Sequence, residues 1–156
     1  MRTEAELRRQ MRQRVESGEV GLAVVDAVIA RLKEHGYLND QSFAETYTRL
    51  RVENEKLGQR NVRQKLAQKG VPNAIANEAI ESRYASTDEE TLARQHIERK
   101  RLKKPENEKE TARIMRRLIA AGFSTRTISK ILRQWEIPDE TLSVLDNLDE
   151  ESAIEE

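Results

Sequence analysis

Three segments of this chain end in the same way, with two apolar residues four positions apart, a glycine four positions later and a further apolar residue directly after it. The three glycines are Gly36, Gly70 and Gly122. Apolar residues four apart share one face of a helix, and glycine adopts the left-handed conformation beyond the last helical turn without a Cβ clash. The pattern therefore predicts three helices that end at a glycine, each followed by an apolar residue that folds back onto the helix.

The composition agrees with a helical chain. Charged residues make up 36% of the 156 residues and aromatic residues only 4%, with six glycines and three prolines, a balance typical of helix-rich proteins. The apolar run around Val25 keeps the i, i+3, i+4, i+7 spacing of a helix, which an alternating strand lacks. We therefore expect an all-α fold.

The predicted helices form an internal repeat. Positions +1, +6, +9 and +10 after Gly70 and after Gly122 all hold apolar residues, so we expect the two helix pairs around these glycines to pack alike. A longer amphipathic helix, beginning near Asp40 or Asp88, precedes each pair, which makes a unit of three helices and roughly 45 to 50 residues. Stacked units of this kind form an elongated, curved body.

Four segments follow from this repeat. Residues 1–38 are expected to be an incomplete first repeat that lacks its leading helix, residues 39–84 the second three-helix repeat and residues 85–135 the third. Residues 136–156 form an acidic tail with nine acids and no base, which we expect to be largely disordered. All 28 Lys and Arg residues precede it, so the body is cationic. The tail either only keeps the chain dissolved or competes with nucleic acid for the cationic body.

Several function classes find no support in the sequence. Without cysteine the chain has no disulfide, thiolate nucleophile or cysteine metal site. The two histidines, His35 and His96, lie far apart, and there is no phosphate-binding glycine loop or nucleophile motif. We expect no catalytic activity, no cofactor and no metal. A signal peptide and an apolar run of membrane-spanning length are also missing, which predicts a soluble cytoplasmic protein.

Two motifs in the middle of the chain carry a family resemblance. The first is Gly-Tyr-Leu-Asn-Asp-x-x-Phe-Ala, from Gly36 to Ala44, and the second is Gly-x-x-x-Val-x-x-x-Leu-x-x-Lys-Gly-Val, from Gly58 to Val71. At matched spacing they resemble the patterns of the RecX regulatory proteins, which modulate the bacterial RecA recombinase. A weaker likeness continues to about Trp135. The acidic tail and the missing leading helix depart from the family's pattern.

The resemblance implies a regulatory protein without enzymatic activity that lies in the helical groove of a RecA filament on single-stranded DNA. It would inhibit the ATPase, strand-exchange and co-protease activities of RecA in DNA repair and the SOS response, by blocking filament growth or by driving disassembly. From the residues alone, two other interpretations stay open. One is a helical protein that binds nucleic acid directly, without RecA, and the other is a plain helical adaptor. No long coiled-coil seam is present, and we expect a monomer.

Basic residues concentrate in the third repeat, where we expect its first helix to run to about residue 103 or 104. On such a helix Arg94, Arg101 and Lys104 would lie close together. Tyr37 and Tyr84 are the candidates for base stacking. An ordinary solvated surface without a binding role would have the same composition. The candidate face for the filament or DNA consists of Arg60, Arg63, Arg94, Arg99, Lys100, Arg101, Lys103, Lys104, Arg113, Arg116 and Arg117.

Overall fold

The computed structural model describes residues 1–15 and 18–148, and these residues form helices and no strand, as predicted. The helices of the first half are α1 (Glu4–Arg12), α2 (Glu19–Glu34), α3 (Asp40–Leu50), α4 (Gln59–Gln68) and α5 (Asn73–Tyr84). Those of the second half are α6 (Glu89–Arg99), α7 (Glu108–Ala120), α8 (Thr125–Gln134) and α9 (Asp139–Leu142). A π-helical segment, Arg51–Glu55, continues α3. None of the helices in the described ranges is long and apolar enough to cross a membrane.

Glycine ends three of these helices, as the sequence predicts. Gly36, Gly70 and Gly122 have positive φ angles of 74°, 80° and 98°. The N–H of the residue after each glycine donates to the carbonyl oxygen five residues earlier, which is the bond that closes a Schellman motif. These bonds measure 2.9 Å from Tyr37 to Leu32, 3.0 Å from Val71 to Leu66 and 3.2 Å from Phe123 to Leu118.

The apolar residue after the glycine is buried in two of the three cases. Val71 and Phe123 are buried, as expected. Tyr37 is 79% exposed instead, and the next residue, Leu38, is buried in its place. The predicted contact after Gly36 is therefore wrong by one residue.

Helix α6 ends earlier than the sequence predicts. It stops at Arg99 rather than near residue 103, because Arg101 adopts a left-handed φ of 54° and the N–H of Leu102 donates to the Ile97 carbonyl at 3.0 Å. A residue other than glycine in this conformation costs about 1 to 2 kcal/mol. The Schellman bonds and the partial burial of Leu102 offset that cost. Glu136 ends α8 in the same way, with a φ of 61°.

The residues pack into two compact units. The first unit consists of residues 1–49 and 63–83, and the second of residues 50–62 together with the described residues from 84 onward. The division falls within α4, the second helix of its repeat. Each unit contains one contact between the start of one repeat's second helix and the glycine turn of the next repeat.

In the first unit, this contact joins α1 to the turn between α4 and α5. Thr3 is fully buried, caps α1 and donates its hydroxyl to the Lys69 carbonyl at 2.6 Å. Gly70 lies directly against the first turn of α1. The same helix packs on a buried apolar cluster that includes Val25 and Ile29 of α2. The first turn of α1 is therefore held at both its polar cap and its apolar face.

In the second unit, the start of α4 lies against the turn between α7 and α8. The N–H of Gly58 donates to the Ala121 carbonyl at 2.8 Å, and the side-chain amide of Asn61 donates to the Ala120 carbonyl at 2.8 Å. A Cβ atom on Gly58 would overlap with the carbonyl group of Gly122, and one on Gly122 would lie 2.7 Å from the Cβ of Asn61. The close approach of the two backbones therefore requires glycine at both positions.

Glu89 fastens the leading helix of the third repeat to α8. Its carboxylate accepts the N–H of Ser124 at 2.7 Å and the hydroxyls of Ser124 and Thr127 at 3.0 and 2.8 Å. Ser124 is the N-cap of α8, so the acid lies at the positive end of that helix. Helix α6 thus covers the first turn of α8.

The beginning of the acidic tail is folded, which differs from the predicted disorder. Residues 139–142 form α9, and Leu142, Leu145 and Leu148 are buried. Leucines three positions apart place one apolar stripe on a helix. Burial of this stripe favours a folded segment despite the acidic residues around it. Residues 149–156, where the tail prediction also falls, lie outside the described residues.

His96 on α6 is a buried polar residue. Its ring contacts Phe123 at a centroid distance of 5.6 Å, and its Nδ1–H donates to the Glu55 carbonyl at 3.0 Å. Burial holds the pKa of His96 below its ordinary value, the charges of Lys100 and Arg99 lower it further, and the bond to Glu55 opposes this shift. There is therefore a pH range in which His96 is neutral in the folded chain but protonated in the unfolded chain.

The chain should lose stability as the pH falls below about 6.5, the ordinary pKa of histidine. The unfolded state binds a proton at position 96 before the folded state does, so protons favour unfolding until the pH reaches the lower pKa of the folded chain. Urea unfolding at a series of pH values measures this dependence. His96→Gln, which cannot titrate, should show a weaker slope between about pH 7 and 5. Equal slopes in both proteins would contradict the role given to His96.

Candidate nucleic-acid interface

The candidate cations lie on the protein surface, but they do not form one helical face. Ten of the eleven are exposed, and Arg60 is partly buried. Because α6 ends at Arg99, the predicted grouping of Arg94, Arg101 and Lys104 on one helix is wrong. The structure instead divides the candidates into two clusters, with Arg60 beside the second, and two separate residues.

The first cluster lies at the end of α6 and in the loop before α7, and we call it the turn cluster. It consists of Arg99, Lys100, Arg101, Lys103 and Lys104. Lys104 lies 3.7 Å from Glu136, and both side chains are exposed, so this pair contributes little. Among the residues that the structure describes, the other four cations have no ion pair. Four of the five cations of the turn cluster therefore present positive charge without a matching acid.

The second cluster lies on the exposed face of α7, and we call it the α7 cluster. It consists of Arg113, Arg116 and Arg117. The opposite face of the helix is buried around Ile114 and Leu118, which fixes the direction of the arginines. No ion pair within the described ranges engages them. Arg60 adjoins the end of this helix, because its backbone N–H donates to the Gly122 carbonyl at 3.3 Å.

The turn cluster precedes α7 in the chain, and Arg113, Arg116 and Arg117 lie about 8 to 14 Å along that helix from its first residue. The helix has 13 residues and is therefore about 20 Å long, at a rise of 1.5 Å per residue. Two acids of its first turn, Glu108 and Glu110, lie between the clusters along the chain. A ligand with regularly spaced negative charges, such as a nucleic-acid strand, can contact both clusters at once.

Arg94 and Arg63 are separate from both clusters. Arg94 forms an ion pair with Glu90 at 2.8 Å, and this hydrogen bond lowers the pKa of Glu90. Arg63 belongs to the first compact unit, and its Nε–H donates to the Asn77 side chain at 3.0 Å. Each of these two candidates thus has a partner of its own.

Sequence reasoning left out three exposed cations on α8, Arg126, Lys130 and Arg133. Acids adjoin two of them. Arg133 lies 3.3 Å from Asp139. Hydrogen bonds from the Thr91 hydroxyl and N–H are the main cause of the lowered pKa of Asp88, and the charge of Lys130 adds to it. The α8 cations are therefore partly neutralised, unlike those of the two clusters.

The two tyrosines proposed for base stacking differ in exposure. Tyr84 is buried, and its hydroxyl donates to the Leu57 carbonyl at 2.6 Å. This burial excludes Tyr84 as a base-stacking residue. Tyr37 is exposed at the end of α2, so its ring is accessible to a ligand.

The fold and the surface together define a class of protein. It is an all-α protein of three-helix repeats whose second compact unit carries two exposed cationic clusters. Within residues 1–15 and 18–148, no group of three or more His, Asp or Glu side chains is placed to hold a metal ion. The arrangement suits binding to an anionic macromolecule.

Comparison with known proteins agrees with this class. Residues 39–80 match the family model for the second three-helix domain of RecX. The regulatory protein RecX of Mycolicibacterium smegmatis is 33% identical over 128 residues, which cover 79% of this chain and 66% of that protein. The RecX of Oceanobacillus iheyensis is 27% identical over 143 residues, which cover 90% of this chain and 51% of that protein. The crystal structure of RecX from Lactobacillus salivarius has a TM-score of 0.63 at 23% identity, over 87% of this chain and 86% of that chain.

The chain belongs to the RecX family. It spans about half the length of the relatives from Oceanobacillus iheyensis and Listeria monocytogenes, at 51% and 45%. The likeness to the Lactobacillus salivarius structure supports the fold of three-helix repeats.

Proposed function

We propose that this chain is a regulatory protein that binds the RecA filament on single-stranded DNA and inhibits its ATPase, strand-exchange and co-protease activities. One observation carries the proposal beyond family membership: seven cations of the turn and α7 clusters are exposed and have no acidic partner among the described residues. Such a set suits the phosphates of DNA or an acidic filament surface. The protein would act in the cytoplasm, where bacterial DNA lies.

The spacing of the clusters suggests how binding would restrain RecA. Cations in the loop before α7 and on its exposed face would contact several neighbouring negative groups of a filament. A helix that bridges neighbouring sites binds best to one arrangement of them. It would therefore oppose the conformational changes that accompany ATP hydrolysis and strand exchange.

A titration of the purified chain against the ATPase activity of RecA on single-stranded DNA tests the proposal. We expect inhibition at or below one chain per RecA protomer. Binding of the chain to the same DNA without RecA, at the same salt concentration, is the control that separates filament binding from coating of the DNA. An unchanged RecA ATPase rate at micromolar concentrations of the chain would overturn the proposal.

A second candidate function is direct binding to nucleic acid without RecA. The short glycine turns between α4 and α5 and between α7 and α8 favour it, because helix-turn-helix proteins join their two helices by a similar turn. The same cations would then contact duplex phosphates. This function predicts tight, sequence-selective binding to duplex DNA and no effect on RecA. The ATPase titration, together with a measurement of binding to duplex DNA, therefore distinguishes the two candidates.

A further inference from the structure

Glu136, directly after α8, has a backbone conformation that is unfavourable for its residue type. Its φ is 61°, and the next residue, Ile137, donates its N–H to the Leu132 carbonyl at 3.1 Å to end the helix. The same motif ends α2, where Gly36 occupies the corresponding position. Glycine adopts this conformation at little cost, whereas glutamate is strained by it. Strained residues of this kind are found preferentially at functional positions.

The carboxylate of Glu136 lies beside the turn cluster. It is 3.7 Å from the Nζ of Lys104, and within the described ranges it is the acid that forms an ion pair with this cluster. The cluster contains a second strained residue, Arg101, with a φ of 54°. A phosphate group that binds Lys104 must therefore compete with a carboxylate that already belongs to the chain.

Packing, rather than the ion pair, holds Glu136 in this place. The two side chains of the pair are 57% and 87% exposed, and such a pair contributes little to stability. The motif that ends α8 fixes the chain on one side of Glu136, and the buried Leu142 and Leu145 fix it on the other. The negative charge of Glu136 therefore stays near the turn cluster even when a ligand displaces its carboxylate from Lys104.

A second acid of the same segment contacts α8. The carboxylate of Asp139, the first residue of α9, accepts the Nε–H of Arg133 at 3.3 Å. The Arg133 carbonyl also accepts the N–H of Glu136 at 2.9 Å. Residues 136–139 thus place one acid on the turn cluster and another on the cations of α8.

We propose that Glu136 and Asp139 are internal competitors that lower the affinity of this surface for the phosphates of a single strand. The inference rests on the proposed function in one respect, namely that the cationic clusters bind nucleic acid. A continuous strand contacts the unpaired cations at the same time and can therefore displace the two carboxylates, whereas an isolated anion gains only one contact. The folded start of the acidic tail then competes with nucleic acid, one of the two roles that the sequence leaves open.

Fluorescence anisotropy with a labelled thymidine oligonucleotide, without RecA and over a range of salt concentrations, tests this inference. The double variant Glu136→Gln with Asp139→Asn keeps the shape of both side chains and removes their charges. We expect it to bind at least about threefold more tightly at low salt. The slope of log K against log salt concentration should become steeper by about 0.7 for each cation that gains a phosphate contact.

Glu140→Gln with Asp146→Asn is the matched control, since it removes the same charge from the same segment. Both acids are exposed and have no ion pair among the described residues. We expect the control to change the affinity by less than half as much. An equal gain in both double variants, an unchanged affinity in the first, or no binding by any of these proteins would overturn the inference.

Glu136→Gly separates the charge of this side chain from its backbone strain. It should bind the oligonucleotide as tightly as Glu136→Gln, because both remove the carboxylate. Only the glycine variant should raise the urea midpoint of unfolding, because only glycine relieves the left-handed conformation. Equal midpoints in the two variants would contradict the strain assigned to Glu136. Neither measurement includes RecA, so the ATPase titration decides the proposed function separately.

Discussion

Substituting Gly122 by alanine should lower the free energy of unfolding by about 3 kcal/mol or more. The added Cβ would lie 2.7 Å from the Cβ of Asn61 and 2.7 Å from the Gly58 carbonyl oxygen. These atoms belong to the backbone or are bonded directly to it, so no side-chain rotation relieves the overlap. The φ of 98° at this position adds conformational strain for alanine. Urea unfolding followed by far-UV circular dichroism measures the loss.

Two further glycine substitutions separate conformational strain from steric overlap. Gly36→Ala meets open space at a φ of 74°, and should cost about 1 kcal/mol through conformation alone. Gly58→Ala overlaps with the Gly122 carbonyl without a positive φ, and should cost about 2 kcal/mol or more. If Gly36→Ala proved as destabilising as Gly122→Ala, the close approach of the two backbones would not be the cause.

Reversing the charge of the turn cluster with Arg99→Glu, Arg101→Glu and Lys103→Glu should weaken binding to single-stranded DNA or to the RecA filament at least about tenfold at low salt. The slope of log K against log salt concentration should become shallower by about 2, because each lost phosphate contact removes about 0.7. Fluorescence anisotropy with a labelled oligonucleotide, bare or coated with RecA, measures both quantities. The variant Arg113→Glu, Arg116→Glu and Arg117→Glu should act similarly if both clusters contact one ligand.

The three α8 cations provide a control for net charge. The variant Arg126→Glu, Lys130→Glu and Arg133→Glu changes the charge of the same compact unit by the same amount. We expect a smaller effect from it, because acids adjoin two of these positions. Equal losses in all three variants would show that overall charge, rather than the two clusters, determines binding.

Most helix ends could be predicted from the sequence, because their causes are local. Gly36, Gly70 and Gly122 end helices through a conformation that glycine adopts at little cost. The same motif at Arg101 could not be predicted from residue type, since the left-handed conformation is unfavourable for arginine. The available signal was Leu102, an apolar residue at the position where Val71 and Phe123 follow the other helices. Leu102 indicates a helix end only if it is buried, and its burial depends on how the helices pack.

The sequence shows which cations are close together along the chain, but it does not show their arrangement in space. Counting cations along the chain identifies the members of both clusters, because they are dense in residues 94–117. The grouping of these cations depends on where α6 ends. Whether their charge is neutralised depends on which acids lie nearby in space. Arg94 and Glu90 are one helical turn apart and could be paired from the sequence. The contact between Lys104 and Glu136 could not, since those residues meet only after folding.

By itself, the sequence determined the helical class, the three-helix repeat and the family, because apolar periodicity and glycine conformation act within one or two turns of the chain. The tertiary structure decided that Gly58 and Gly122 must both lack a side chain and that the start of the acidic tail is folded. Each of these depends on atoms from distant parts of the chain that approach each other only when the helices pack. The conformational preferences of individual residues do not reveal such contacts. Steric overlap and burial in the packed structure decide them.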